Sequence, residues 1–532
     1  MTTAADAMAP AGKLPRQIPY IIGNEGCERF SFYGMRNILV PFLVSSMLLA
    51  YLPEEMRAGA AKDVFHIFVI GVYFFPLLGG WISDRFFGKY NTVFWLSLVY
   101  CAGHACLALF EESRSGFYTG LFLIALGSGG IKPLVSAFVG DQFDRSNKHL
   151  AKVVYDAFYW IINFGSFFAS LLMPIFLREL GPSIAFGIPG ALMFVATVIF
   201  WSGRNKYVHV PPSPPNPDSF LRVLRTALFA RVPGQGRPGL VVAGIGAVLA
   251  VMALLSLFRV IGSAESASAA AANGVIAVLV ALGFLITGVG VGASLQLDRA
   301  RGVHADEAVN GARAVLRILI VFAMVTPFWS LFDQKASTWV LQGQEMAKPE
   351  WFSAAQMQAL NPMLVMLLIP FNNLVLYPTL RRLGVEVTTL RRMGAGIAFS
   401  GLAWVAAGML QLWMDGGDAV SITWQVLPYA LLTMGEVLVS ATGLEFAYSQ
   451  APPSMKGTIM SFWLLSVSYG NLWVLLTNAA VRNDAVTGQI AATGLTENAF
   501  LMFFFAGFAF LAALAFAAYA RRYPMQDHYR TA

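Results

Sequence analysis

A chain of 532 residues with 57% hydrophobic and only 12% charged side chains, and a mean hydropathy of +0.63, is far from a soluble domain, in which about a quarter of residues are charged. It reads as an all-α polytopic membrane protein. The net charge of +7 does not imply nucleic acid, because the basic residues lie in short runs between apolar segments, where retention of loops in the cytoplasm accounts for them. The three cysteines, Cys27, Cys101 and Cys106, sit in apolar stretches and support neither a disulfide framework nor a zinc site.

The first eighteen residues lack the apolar core of a cleavable signal peptide, so the N-terminus is expected to stay in the cytoplasm. The first predicted span, 19–50, contains Glu25, Glu28, Arg29 and Arg36 between apolar flanks. One central charge in a membrane helix costs roughly 2.5 to 3.5 kcal/mol, so this set unpaired would cost on the order of 10 kcal/mol. These groups must be paired, hydrated or partly neutral. Glu25, Arg29, Tyr33 and Arg36 recur at helical spacing and share a stripe, with Glu28 beside it. That stripe is expected to line a cavity.

Further apolar runs of about spanning length are predicted at 64–83, 91–110, 116–139, 155–177, 183–202, 239–261, 274–297, 313–341, 354–380, 393–414, 422–448, 456–480 and 498–520, for about fourteen helices in all. Most of the 36 Lys and Arg fall in alternate connections, which puts both termini inside. The proline-rich run Pro211 to Pro217 marks a basic linker over 204–237. The domains read as a six-helix bundle at 1–203, a linker with an extra helix pair at 204–300, and a second six-helix bundle at 301–532. The extra pair is almost devoid of polar residues and is expected to pack peripherally. A six-plus-six arrangement predicts two bundles that rock around a midplane site.

Two more intramembrane charges carry weight. Lys132 follows Gly127-Ser128-Gly129-Gly130-Ile131, small residues that allow a close helix contact through which it can reach the stripe in the first span. Glu436 stands in an apolar helix of the other half, with no base nearby in that helix, so a cationic ligand group or a proton is expected to neutralise it. Positive charge in one half and negative in the other suits a zwitterion, and a peptide has the required ends.

The quoted motifs resemble those of the proton-dependent oligopeptide transporters, a branch of the major facilitator superfamily. The family's E-x-x-E-R-F-x-Y-Y pattern appears as Glu25, Glu28, Arg29, Phe30 and Tyr33, with Phe32 in place of the first tyrosine. G-G-I-K-P stands at Gly129 to Pro133, D-Q-F at Asp141 to Phe143, and F-Y-x-x-I-N-x-G-S at Phe158 to Ser166. The loop Gly80 to Lys89 resembles the superfamily's charged loop motif. Phe328 to Gln334 resembles the seventh core helix, with Lys335 in place of a usual glutamine. Phe65-His66 and Tyr73 are similar to the mammalian members.

The resemblance implies a major facilitator fold and proton-coupled symport of di- and tripeptides by alternating access, driven by the proton gradient without a cofactor. By position, Glu25, Glu28, Arg29, Lys132 and His66 would couple protons; an ordinary histidine pKa of about 6.5 suits His66 for exchange near neutral pH. Arg36 and Lys132 would face the peptide carboxylate, and Asn163, Asn361 and Glu436 its amino end and backbone. Tyr33, Tyr73, Trp329 and Trp463 are candidate pocket walls. Arg317 matches a gating arginine whose acidic partner aligns with Asn373, so a hydrogen bond to Asn372 or Asn373, or another acid, is expected in place of that ion pair. The remaining histidines, His104, His149, His209, His304 and His528, show no ligand spacing and no metal site is expected. Partners are the peptide, protons and lipid, with no nucleic acid, in a monomer of the bacterial inner membrane. Rival readings are a related symporter for nitrate, a drug or another metabolite, and a non-transporting sensor; no constellation supports an enzyme.

Overall fold

The computed structural model describes residues 14–143, 147, 150–212, 216–262, 266–450 and 455–524. His149, His528 and Ser213-Pro214-Pro215 of the proline run lie outside the described residues, as do the two ends. Among the described residues the chain is helical, and its only β pairings are the isolated bridges Arg301–His304 and Ala347–Ser421.

The helices in the first part are α1 (Ile18–Ser45), α2 (Glu54–Phe74), α3 (Pro76–Ile82), α4 (Gly88–Leu109), α5 (Arg114–Asp141), α6 (Ala151–Leu180), α7 (Pro182–Ser202), α8 (Phe220–Phe229), α9 (Pro238–Gly262) and α10 (Ala267–Leu295). They are followed by α11 (Asp306–Asp333), α12 (Thr338–Glu345), α13 (Leu360–Phe371), α14 (Tyr377–Arg382), α15 (Thr389–Asp415), α16 (Val426–Gln450), α17 (Lys456–Ala480), α18 (Asp484–Ala492) and α19 (Glu497–Ala520). Twelve helical stretches among the described residues are long and apolar enough to cross a membrane. One of them, Glu54–Leu109, has 56 residues, more than twice the roughly twenty that a span needs. It turns back at Ser83–Phe87, where Gly88 takes φ +72°, and so makes two passes. The charged α1, 28 residues long, supplies a further one, which completes the fourteen expected from the sequence.

Contacts sort the chain into two compact units. The first comprises Met1–Leu48, Gly71–Pro214 and Pro349–Leu367. Close backbone approach organises it: a Cβ on Gly103 would lie 2.9 Å from the Gly120 carbonyl oxygen, and one on Gly129 2.7 Å from that of Val72. Such small-residue contacts replace the hydrophobic drive that lipid cannot provide. The stretch 349–367 attaches here because Gln358 donates to the Asn37 carbonyl at 3.2 Å and Gln356 to that of Leu171 at 3.0 Å.

The second unit comprises Leu49–Ile70, Pro215–Lys348 and Leu368–Ala532. Its α9 and α10 have only 17% and 22% of their apolar windows buried, in keeping with a peripheral pair. The predicted linker is not wholly irregular. Phe220, Val223, Leu224, Ala227 and Leu228 form a buried helical stripe in α8 while Arg222 and Arg225 stay exposed. Gln296 ties this helix down by donating to the carbonyls of Ala227 and Leu228 at 2.9 and 3.0 Å. In the loop after α10, hydrogen bonds from Arg313 and Arg301 hold the Asp298 carboxyl below its ordinary range.

Candidate functional site

The charged stripe of α1 is paired within itself. Arg29 Nε lies 2.7 Å from Glu25 Oε1 and 2.7 Å from Glu28 Oε2, and all three side chains are buried. The i,i+4 spacing of Glu25 and Arg29 makes the first contact local, while the second bends the same guanidinium back to its neighbour. Ser128 on α5 touches Glu28 Oε1 at 3.5 Å. On the opposite side Gly165 of α6 admits α1 closely, since a Cβ there would lie 3.1 Å from the Gly26 carbonyl oxygen and 3.5 Å from Arg29 Cβ. Two carboxylates on one guanidinium leave an excess negative charge that a single proton can remove.

Lys132 extends from α5 onto α1 and the end of α2, with Nζ 3.9 Å from the Phe32 ring centre and 4.5 Å from that of Tyr73. Aromatic faces suit an ammonium group held away from bulk water. Phe32, the departure from the family pattern, therefore serves as part of the lysine's seat and packs edge-on against Tyr33 at 5.3 Å. Arg36 is buried on the same helix at 6% exposure. Asn163 donates to the Tyr159 carbonyl of its own helix at 3.0 Å, and Asn361, half-buried, belongs to the same unit through the 349–367 stretch.

In the second unit His66 is fully buried in a polar network that the sequence did not announce. Its Nδ1 is 2.6 Å from Asn471 Oδ1 and its Nε2 3.0 Å from Ser337 Oγ. The Asn471 amide is oriented by donating to Asp333 Oδ2 at 2.8 Å and to the Val467 carbonyl at 3.0 Å. Its oxygen must then accept, which puts a proton on His66 Nδ1 and leaves Nε2 to accept from Ser337. A second proton on the ring is also accommodated, because Ser337 Oγ can turn to the Gln334 carbonyl at 3.4 Å. One turn away Asp63 pairs with Arg482 and accepts from Asn478 at 3.0 Å, and Ser468 donates to the Ile70 carbonyl at 3.1 Å. α2 is thus joined to α17 and its end by a ladder of polar contacts. The sequence marked His66 alone of this ladder; Asn471 and Asn478, two turns apart in an apolar span, were a further trace of it.

Trp329 and Trp463 meet edge to face at 5.8 Å, each seated over a glycine. Cβ atoms on Gly470 or Gly443 would fall on Trp329 or Trp463 respectively. The buried Trp329 Nε1 has no hydrogen-bond partner among the described residues, a donor suited to a ligand. Gly443→Ala is expected to destabilise the protein by about 1 to 3 kcal/mol through overpacking and to change Trp fluorescence, as thermal unfolding and emission spectra would reveal. Glu436 is half-buried beside Gly435, whose Cβ would lie 2.7 Å from the Gly396 carbonyl oxygen of α15; residue 436 is turned about 100° from that contact.

Among the described residues no hydrogen bond joins Arg317 to Asn372 or Asn373; the Arg317 carbonyl accepts from Tyr519 at 3.4 Å, Asn372 is buried against the Met434 sulfur at 3.7 Å, and Asn373 is exposed. Both amides open a π-helical turn at Asn372–Leu376, which adds a residue to the turn. His104, passed over as lacking ligand spacing, is fully buried with Nε2 2.9 Å from Ser31 Oγ and its ring stacked on Tyr100 at 5.0 Å.

Comparison with known proteins places this geometry. The model of the POT family, PTR2, matches residues 90–491. Peptide transporter 3 of Caenorhabditis elegans is 31% identical over 416 residues, 75% of this chain and 51% of its own length. Solute carrier family 15 member 2 of Danio rerio is 29% identical over 429 residues, 75% of this chain and 50% of its own. The chain spans about half the length of these curated relatives. Among solved structures, an auto-inhibited POT family peptide transporter matches with a TM-score of 0.93 at 66% identity, covering 97% of this chain and 99% of that one. The POT family transporter PepTSo matches at 0.92 and 65%, covering 97% and 100%. With the buried Glu-Glu-Arg triad, the lysine beside it and a family match over most of its length, the chain belongs to the POT family of the major facilitator superfamily.

Proposed function

We propose that this protein is a proton-coupled symporter that imports di- and tripeptides by alternating access. The observation that carries the reading is Arg29 held 2.7 Å from both Glu25 and Glu28 in a buried setting, an arrangement whose charge balance changes with one proton. Glu25, Glu28, Arg29, Lys132 and His66 couple the proton. Arg36 and Lys132 take the peptide carboxylate, Asn163, Asn361 and Glu436 its amino end and backbone, and Tyr33, Tyr73, Trp329 and Trp463 wall the pocket. The rocking units are 1–203 and 301–532, with 204–300 as an insertion, although contacts in this structure sort 49–70 with the second unit and 349–367 with the first; the protein is a monomer of the bacterial inner membrane with both termini inside. Arg317 acts in gating together with Asn373, which stands where the family has an acid. The names of the relatives, which describe peptide transporters, support the substrate class.

The test is uptake of labelled dialanine into proteoliposomes under an inward proton gradient, competed by dipeptides, tripeptides and nitrate. Uptake is expected to follow the gradient and to be displaced by both peptide lengths. Displacement by nitrate and by no peptide would overturn the reading.

A further inference from the structure

α15 and α19 run antiparallel and interlock through glycine and phenylalanine: Cβ atoms on Gly394, Gly401 and Gly408 would lie 3.4, 3.0 and 2.9 Å from the rings of Phe516, Phe510 and Phe503. Beside this seam a groove of about 780 Å³ opens, its walls kept low by Ala395, Ala398, Ala513, Ala517 and Ala520, with Arg391 and Arg521 at one end. The groove follows α19 from Phe510 to Arg521, a rise of roughly 16 Å at helical pitch. That is half of a hydrocarbon core about 30 Å thick, so the groove traverses one leaflet and ends in positive charge where headgroups begin.

The basic end is electrostatically incomplete. The first turn of α15 has no acidic residue yet carries Arg391, although a helix N-terminus favours anions. Arg392 is paired with Glu445 at 2.8 Å. Arg391 has a solvent-exposed 3.5 Å pair with Glu386 and donates to its carbonyl at 3.0 Å, while Arg521 and Arg522 close α19 and are exposed. We propose that this groove binds one anionic phospholipid, with its phosphate on Arg391 and Arg521 and an acyl chain along the alanines. A free phosphate would leave the apolar walls unfilled; a neutral lipid would leave the arginines unanswered. The assignment rests on the charge and length of the groove and not on the transported substrate.

Native mass spectrometry of the full chain, titrated with phosphatidylglycerol or with phosphatidylcholine of the same acyl chains, tests it. The wild type is expected to retain one phosphatidylglycerol in preference. Arg391→Gln with Arg521→Gln should lower that affinity by about 30-fold, the scale of two basic residues at an anionic surface, towards the affinity for phosphatidylcholine. Ala517→Phe, at an exposed position, should weaken both lipids with the arginines intact. Equal retention of the two lipids by the wild type, undiminished phosphatidylglycerol binding in either variant, or displacement by millimolar inorganic phosphate would each overturn the proposal.

Discussion

Proteoliposomes carrying Glu25→Gln or Glu28→Gln are expected to lose peptide uptake driven by a proton gradient, down to the level of protein-free vesicles, and to keep exchange of labelled for unlabelled peptide. Glutamine preserves the size of the side chain but fixes it in the neutral state, so the site cannot release a proton to reset itself. Exchange needs no net proton movement and should survive. Arg29 keeps one carboxylate in either variant, at a distance of 2.7 Å in the native protein, which limits the loss of stability. Arg29→Ala is different in kind: it leaves two buried carboxylates facing each other, and stripping one partner from a buried pair costs about 3 to 5 kcal/mol. Retained uptake against a gradient in both glutamine variants would remove these residues from the coupling role.

Arg482→Ala is expected to destabilise the protein by about 3 kcal/mol, the lower end of the range for breaking a buried ion pair, because Arg482 itself is partly exposed. Asp63 is 1% exposed, and after the substitution the hydrogen bond from Asn478, to one oxygen at 3.0 Å, would remain beside the charge of neighbouring Lys62. Asp63→Asn in the same background removes the stranded charge and should restore part of the loss. A double-mutant cycle followed by thermal unfolding measures the coupling directly. A loss under about 1 kcal/mol, the worth of a surface pair, would mean that Asp63 is hydrated and that the ladder between α2 and α17 does not depend on it.

Much of the architecture was legible before any coordinates. Fourteen passes could be counted because a bilayer demands about twenty apolar residues at a time, and α1 stood out because charges within such a stretch are costly. Helical spacing put Glu25, Arg29, Tyr33 and Arg36 on one stripe, but left open whether its charges were paired, hydrated or partly neutral. The amphipathic α8 was obscured by the prolines that precede it, although its buried stripe has ordinary helical periodicity. The π-helical turn at Asn372–Leu376 was not legible, because such a turn leaves little mark in composition: Pro370 and Pro378 flank it, but prolines bound many turns.

By itself the sequence determined which segments enter the membrane, which side chains there carry charge, and which family motifs they form, since transfer free energy and helical period act over some twenty consecutive residues. Tertiary structure alone decided the partners. It placed Lys132 on Phe32 and Tyr73, His66 between Asn471 and Ser337, Asp63 with Arg482, and the stretch around Asn361 beside α1 and α6. These choices depend on how closely helices distant in sequence can approach, which is set by a few glycines and alanines in contact, and no local window contains both sides of such a contact.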